Sequence, residues 1–194
     1  LMVAVMLPVM AMAAEVTTAE DLKAAVAAGG EVTLGANITA SITIPKDKTV
    51  TLNLNGKTLT NEADMDTITV ALGGTLTIEG TGTVDNDSHG RAAVYNNGTV
   101  TINGGTYTRS AEKGTGKDPD SNNGNSWYTI CNHGVMTVNA GVTVTNTGTF
   151  SSVFENGYQS YTGNNERSNY VAGTNNAAPA LTINCLLYTS DAAD

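Results

Sequence analysis

A short pattern recurs along the middle of this chain and limits its fold more than any other feature. Each copy has an apolar residue, a threonine and a second apolar residue, followed by a Gly/Asn turn and a further short strand. The copies occupy residues 49–61, 75–86, 99–108 and 135–146, and a fifth begins at residues 180–184. Their first apolar residues are 26, 24, 36 and 45 positions apart. Internal repetition at such a period is typical of folds built from stacked supersecondary units.

Strict alternation of apolar and polar residues within each copy indicates a strand with one buried face and one solvated face. Further strands are predicted before the repeated one at residues 67–72, 92–96 and 128–132, and after it at Leu59, Val84, Tyr107 and Val144. Three short strands in roughly 25 residues correspond to one coil of a parallel β-solenoid. The two longer spacings predict inserted loops at residues 110–127 and 147–178, because insertions at turns leave a stacked core intact.

The residues before the first copy predict a helix, within residues 14–30, that covers one end of the solenoid. The threonines at 17–18 offer an N-cap with an acidic residue three positions on. An apolar stripe follows from Leu22 to Val26, and Gly29 with Gly30 ends the helix. An amphipathic helix of this kind hides the core and the strand edges of the first coil.

The residues at both ends of the chain do not follow the repeated pattern. Residues 1–13 form a short apolar run ending in Ala-Met-Ala, which fits part of a secretory signal peptide cleaved before Ala14. An apolar strand or helix of the fold is the alternative, and the run is too short to span a membrane. Residues 185–194 resemble a translated sequencing adapter, so a truncated solenoid is expected at residues 31–184. Cys185 then carries no functional weight, and Cys131 has no partner for a disulfide.

The opening TTAEDLKAAVAAGGEVTLGANITASITIP at residues 17–45, followed by coils of the form GTxTIxGG, supports a family resemblance. Residues 16–184 resemble the pectate-lyase-like superfamily, most of all its secreted, Thr/Asn/Gly-rich proteins from gut anaerobic bacteria. The resemblance implies an all-β fold, a single-stranded right-handed parallel β-helix with an N-terminal capping α-helix. It also implies a secreted or cell-surface bacterial protein. Lyases, hydrolases and adhesins share this fold, so the resemblance leaves the activity open.

Charge and the outward strand positions argue against two classes of function. A net charge of −9 is unfavourable for a nucleic-acid-binding protein, which needs cationic side chains to neutralise phosphates. The outward positions repeat threonine, and Glu79 aligns with asparagines at 53, 103 and 139, so no acid pair for glycoside hydrolysis is predicted. The Ser-His-Gly within residues 85–91 is faintly similar to a polygalacturonase motif. The paired-Asp and Arg-x-Lys motifs of those enzymes are not found, so a turn with a local Asp–Arg pair is predicted there.

A calcium loop is the weaker of two interpretations of residues 117–125. Oxygen ligands stand at alternate positions in Asp118, Asp120 and Asn122, as in calcium loops. The glycine comes one position late, and Thr129 stands where a closing glutamate is required. A polar loop is therefore the favoured interpretation, and no other cofactor is predicted.

Aromatic residues concentrate in or beside the two predicted insertions. Their rings can stack on sugar C–H groups while nearby amides such as that of Asn122 bond to hydroxyls. The aromatic residues are Trp127, Tyr128, Tyr158, Tyr161 and Tyr170. The alternative is that these rings pack the insertions onto the solenoid.

The leading functional prediction is a secreted or cell-surface, non-catalytic protein that contacts a polysaccharide or a host or cell-surface glycan through both insertions. A polysaccharide lyase or glycoside hydrolase, with its active site partly in further coils, is the alternative. A purely structural stalk is the third.

Five polar or reactive residues near strand ends receive structural interpretations. Asn96, Asn132 and Asn146 recur at strand ends, where stacked amides can bond to one another along a ladder. His133 occupies the turn position that Asn97 has in the preceding coil, which favours a turn role over catalysis. Cys131 aligns with Tyr95 and Ala71, as a packed side chain or as a partly exposed thiol.

Overall fold

The computed structural model describes residues 14–110, 128–146, 152–157, 161–162, 166–167 and 172–184. In these ranges the chain forms one helix and nineteen short strands. Their bounds, in chain order, are β1 (Ala14–Val16), α1 (Ala19–Ala28), β2 (Gly30–Leu34), β3 (Ile38–Thr39), β4 (Ile42–Ile44), β5 (Thr49–Asn53), β6 (Lys57–Thr60), β7 (Ile68–Val70), β8 (Thr75–Glu79), β9 (Gly82–Asp85), β10 (Val94–Asn96), β11 (Thr99–Ile102), β12 (Thr106–Thr108), β13 (Tyr128–Asn132), β14 (Val135–Val138), β15 (Thr143–Val144), β16 (Ser152–Asn156), β17 (Tyr161–Thr162), β18 (Glu166–Arg167) and β19 (Ala180–Ile183).

Three parallel sheets contain all the strands except the antiparallel pair β17–β18. Sheet 1 has the order β1-β2-β5-β8-β11-β14-β19, sheet 2 the order β3-β6-β9-β12-β15, and sheet 3 the order β4-β7-β10-β13-β16. From β2 to β16 the chain therefore visits sheets 1, 2 and 3 in the same order five times. Each such set of three strands is called a repeat below. The prediction of an all-β fold is confirmed, and the copies of the repeated pattern begin with the sheet 1 strands β5, β8, β11, β14 and β19.

The core is formed by the inward-facing residues of the three sheets. In sheet 1 the first apolar residues of the pattern lie side by side, with Val50 paired to Leu76, Leu76 to Val100, Val100 to Met136 and Met136 to Leu181. The first four of these are at most 1 % exposed. The predicted strand residues Leu59, Val84 and Tyr107 are likewise buried in sheet 2. A period-two pattern therefore becomes a continuous apolar interior.

Helix α1 covers one end of the sheets, where it contacts β1, β2 and β4. Its N-cap is Thr18, whose Oγ1 accepts a hydrogen bond from the N–H of Asp21 at 3.1 Å. Gly29 ends the helix with φ +87°, and its N–H donates to the carbonyl oxygen of Ala25 at 3.0 Å. Leu22 and Val26 are fully buried against the core. The predicted cap and stop are confirmed, and strand β1 precedes the helix within the residues assigned to it.

The second predicted insertion contains a strand of sheet 3. Residues 147–178 were expected to form a loop, but Ser152–Asn156 is β16 and pairs in parallel with β13. The expectation is wrong at these residues. Adjacent apolar residues at 153 and 154 hide the alternation there, and only the register, with Phe154 beside Ile130, reveals the strand. The predicted leader at 1–13 and the adapter-like residues 185–194 lie outside the described residues.

A buried asparagine ladder joins three repeats where the chain turns from sheet 3 into sheet 1. The Asn96 amide donates to Asn132 Oδ1 at 2.7 Å, and the Asn132 amide donates to Asn156 Oδ1 at 2.7 Å. Asn96 and Asn132 are fully buried. The predicted ladder is confirmed at 96 and 132, but its third member is Asn156. Asn146 instead follows β15 in sheet 2.

Within the described ranges, no helix is long and apolar enough to cross a membrane.

Candidate functional site

Most of the residues predicted to bind a ligand lie outside the described part of the chain. These are Trp127, Tyr158, Tyr170 and Asn122 of the aromatic set, and Asp118, Asp120 and Asn122 of the calcium loop. Tyr161 belongs to strand β17, and Tyr128 is the half-buried first residue of β13. The sugar platform and the calcium loop therefore remain predictions.

Sheet 3 lies between the two long connections of the chain. Residues 109–127 join β12 of sheet 2 to β13 of sheet 3, and residues 157–179 join β16 of sheet 3 to β19 of sheet 1. Both connections rejoin strands that keep their register with the neighbouring repeats. Sheet 3 is therefore the sheet at which one connection ends and the other begins, and we take its outer face as the candidate site.

Titratable side chains gather on this outer face. They come from successive repeats and from the turns next to them, and we call them the sheet 3 cluster: Asp66, Tyr95, Cys131, His133 and Glu155. Tyr95 pairs with Cys131, and Cys131 with Glu155, in the sheet register. The interval of 36 residues from Tyr95 to Cys131 equals that from Val100 to Met136, but the 24 residues from Cys131 to Glu155 differ from the 45 between Met136 and Leu181, so the repeated pattern does not locate Glu155.

Hydrogen bonds connect three members of the cluster in series. Nε2 of His133 lies 2.9 Å from Oε2 of Glu155, and Nδ1 lies 3.2 Å from the Tyr95 hydroxyl. The Tyr95 ring meets the imidazole edge-on, with centroids 5.1 Å apart. The His133 and Glu155 side chains are only 3 % and 11 % exposed. With its proton on Nε2, the imidazole donates to the carboxylate and accepts from the phenol, so the three groups form a continuous relay.

Burial governs the protonation of the phenol in this relay. Desolvation is the main cause that raises the pKa of Tyr95 to about 12, and the nearby Cys131, Asp66 and Glu155 add to it. The phenol is therefore protonated at neutral pH and acts as a hydrogen-bond donor. His133 does occupy the predicted turn position, since its N–H donates to the Asn96 carbonyl oxygen at 2.7 Å, but it also holds Glu155.

Cys131 was predicted to be either a packed side chain or a partly exposed thiol, and the structure shows a packed side chain. It is 1 % exposed and lies beside Tyr95 and Glu155. The predicted alignment with Ala71 is wrong by two residues, because Tyr95 pairs with Thr69. Burial and the charges of Glu155 and Asp66 raise the thiol pKa well above its usual value. A thiol of this kind is a poor nucleophile at neutral pH.

A buried cation lies next to the cluster. Arg109 is fully buried, and its Nη2 donates to the Ser88 carbonyl oxygen at 3.3 Å. Its charge lowers the pKa of both Asp66 and Cys131. Desolvation outweighs this effect at Asp66 and raises the pKa of its carboxyl, although Oδ1 accepts a hydrogen bond from the Ala92 N–H at 2.7 Å. The cluster therefore combines acidic and basic groups with little exposure to water.

The turn at residues 85–91, where a local Asp–Arg pair was expected, has its first aspartate bonded outside the turn. Asp85 accepts from the N–H of Ser110 at 2.9 Å and from the Ser110 hydroxyl. The Asn86 amide donates to the Ala92 carbonyl oxygen at 2.9 Å and to the Thr67 hydroxyl at 3.1 Å. These bonds hold the turn against the neighbouring repeats, so they stabilise the fold.

The outer face of sheet 1 is polar and uncharged along most of its length. Thr51, Thr77, Thr101, Thr137 and Thr182 stand side by side in register. Glu79 pairs with Asn53, as predicted. A second, exposed ladder follows, in which Asn139 donates to Asn103 at 2.7 Å and Asn184 donates to Asn139 at 2.8 Å. The aligned positions hold hydroxyl and amide groups in place of an acid pair.

The described residues contain no metal centre, and no similar protein was found, so neither indicates a function for these surfaces. Among the described residues, no group of three or more His, Cys, Asp or Glu side chains is arranged to hold a metal ion. Comparisons of the chain with protein-family models, with characterised proteins and with solved structures gave no match.

Proposed function

We propose that the chain is a right-handed parallel β-helix that is exported and acts as a non-catalytic extracellular or cell-surface protein, binding a glycan through the two connections beside sheet 3. The observation that carries this proposal is the position of the connections. One connection ends and the other begins at a strand of sheet 3, and the strand that follows each keeps its register with the neighbouring repeat. Segments of this kind are free to serve recognition.

The polar character of the described surfaces supports a non-catalytic role. The groups suited to acid–base chemistry in the sheet 3 cluster are largely buried and are bonded to one another. The outer rows of sheet 1 carry hydroxyl and amide groups, which are neither acids nor bases at neutral pH. The ligand class that fits is a neutral or weakly charged polysaccharide, since the acidic chain repels strongly anionic polymers.

A glycan array probed with the full chain tests this function. The double variant Trp127→Ala/Tyr161→Ala removes one ring from each connection, and we expect at least about fivefold weaker binding because each stacked ring contributes roughly 0.5–1.5 kcal/mol. Thr101→Ala on the outer face of sheet 1 is the matched control, and we expect no change. Glycan binding that survives the double variant would refute contact through the connections.

A polysaccharide lyase or hydrolase is the second candidate, and the Tyr95–His133–Glu155 relay is the observation that favours it. A phenol linked to an imidazole and a carboxylate can move a proton to or from a bound sugar. Release of unsaturated uronides, measured with and without calcium, would support this candidate over the first. Tyr95→Phe should then abolish the release while the protein remains folded, because it removes only the hydroxyl.

A further inference from the structure

Asparagine followed by glycine is a dipeptide that reacts readily with itself. The glycine nitrogen attacks the asparagine side-chain amide, because glycine has no Cβ to block the approach and its backbone rotates freely. The described ranges contain four such pairs, which begin at Asn55, Asn97, Asn103 and Asn156. A fifth, at residues 123–124, lies outside them. The four described pairs differ in what the glycine N–H and the amide oxygen contact.

The glycine N–H is engaged in three of these pairs. Gly56 donates to a carbonyl oxygen of the next repeat at 2.6 Å, and Gly157 donates to the Asn132 carbonyl oxygen at 2.9 Å. Gly98 donates to Oδ1 of Asn96 at 2.9 Å. A nitrogen held in this way must first give up a hydrogen bond before it can lose its proton and attack.

The pair Asn103–Gly104 differs from the other three at the attacking nitrogen, and its amide oxygen is also bonded. It follows β11 on the outer face of sheet 1, where Asn103 is exposed. Within the described part of the chain, the Gly104 N–H donates no hydrogen bond. Oδ1 of Asn103 accepts one from the Asn139 amide at 2.7 Å. This donor draws electrons from Cγ and stabilises the negative charge that forms on Oδ1 during attack, as the donors of an oxyanion hole do.

Backbone packing keeps glycine at position 104. A Cβ there would lie 2.6 Å from the Gly80 carbonyl oxygen, so a larger residue would have to displace the main chain of the neighbouring repeat. The stacking of the repeats therefore requires the residue type that also permits the reaction.

We propose that Asn103 is a site of spontaneous deamidation in the folded chain. The Gly104 nitrogen loses its proton to hydroxide and bonds to Cγ of Asn103. The Cγ–Nδ2 bond breaks, and the amide nitrogen leaves as ammonia with a proton taken from water. Water then opens the succinimide ring at either carbonyl, which leaves aspartate or isoaspartate at this position. The overall change consumes one water molecule and releases one ammonia.

The product changes the charge of the outer face of sheet 1. Asn103 lies beside Glu79, because each follows the last pair of residues that joins β11 to β8. Neighbouring strands are about 4.8 Å apart. Deamidation therefore puts two carboxylates side by side in a row where Glu79 otherwise has amide neighbours, and like charges so placed repel each other. The reaction does not depend on glycan binding.

Incubation of the full chain in mildly alkaline buffer, followed by peptide mapping with mass spectrometry, tests the proposal. The mass increase from amide to carboxyl should appear at Asn103 about fivefold or more faster than at the other three described pairs, since each of those must first release its glycine N–H. Asn156 is the closest comparison, because it is exposed and its Oδ1 also accepts an amide hydrogen bond at 2.7 Å. In the urea-unfolded chain the four rates should converge.

Asn139→Ala tests the contribution of the donor. It removes the hydrogen bond to Oδ1 of Asn103, so deamidation there should slow about twofold or more. Asn184→Ala is the matched control, because it removes the next bond of the same ladder without touching Asn103, and we expect no change in rate. Circular dichroism verifies that both variants keep their strand content. Reaction at Asn156 as fast as at Asn103 in the folded chain, or a rate at Asn103 that Asn139→Ala leaves unchanged, would each overturn the proposal.

Discussion

Replacing Asn132 by alanine removes the middle member of the buried asparagine ladder. The Asn132 amide donates to Asn156 Oδ1 at 2.7 Å and to the Ala180 carbonyl oxygen at 2.9 Å. Its Oδ1 accepts from the Asn96 amide at 2.7 Å and from the Gly134 N–H at 3.3 Å. One side chain therefore bonds to four groups where the chain turns from sheet 3 into sheet 1.

The size of the effect depends on which partners water can reach. Asn156 is exposed and can bond to water instead, and the Asn96 amide keeps a bond to the Val135 carbonyl oxygen at 3.2 Å. The buried Gly134 N–H loses its bond, and the Asn96 amide loses the shorter of its two bonds. Each buried polar group left without a partner costs roughly 1–3 kcal/mol, so we expect the free energy of unfolding to fall by about 3 kcal/mol.

Asn139→Ala is the matched control, because Asn139 belongs to the exposed ladder of sheet 1. Water replaces its bonds, so the loss should stay below about 1 kcal/mol. Urea denaturation of the full chain measures both, and a shift of midpoint at constant slope identifies a change in stability. Equal losses for the two variants would refute the reasoning that burial, and not the ladder as such, makes Asn132 important.

Two further predictions concern a close backbone approach and a buried carboxyl. A Cβ at Gly98 would overlap the Gly74 carbonyl oxygen and lie 2.5 Å from that of Ala71, so Gly98→Ala should cost about 2 kcal/mol or more in urea denaturation. Gly141→Ala, where a Cβ meets open space, should cost only about 1 kcal/mol, and the reverse order would contradict this reasoning. Burial raises the pKa of Asp66 above its unfolded value, so this group contributes most stability at low pH and loses it as pH rises through the unfolded and then the folded pKa. Asp66→Asn should therefore be stabilised relative to the unmodified chain at pH 7, with the difference shrinking below about pH 4, and a difference independent of pH would contradict the shift.

Local patterns along the chain predicted much of the scaffold. The N-cap at Thr18, the stop at Gly29 and the inward rows beginning with Val50 follow from neighbouring residues, because helix caps and strand alternation act over a few positions. The repeat interval then predicts which strands lie side by side. Strand β16 was missed because its adjacent apolar residues hide the alternation, and a weak local pattern leaves the decision to pairing with β13.

The candidate site depended more strongly on distant residues. The aromatic set near the connections was visible in the sequence, but the relay of Tyr95, His133 and Glu155 joins positions 38 and 22 residues apart. Asn156 replaced the expected Asn146 in the buried ladder for a similar reason, since only the sheet register shows which strand ends meet.

The sequence by itself determined the all-β class, the helix at the start and the rows of the core, because periodicity selects which side of each strand avoids water. The tertiary structure alone decided which side chains meet outside that core, and how deeply each is buried. Hydrogen bonding and pKa depend on the distance and the dielectric between groups far apart in sequence, and these are set only when the strands pair. Asn132 and Asn139 both occupy positions that repeat asparagine in the sequence. Only Asn132 is fully buried, and its burial is the reason that it contributes more to stability.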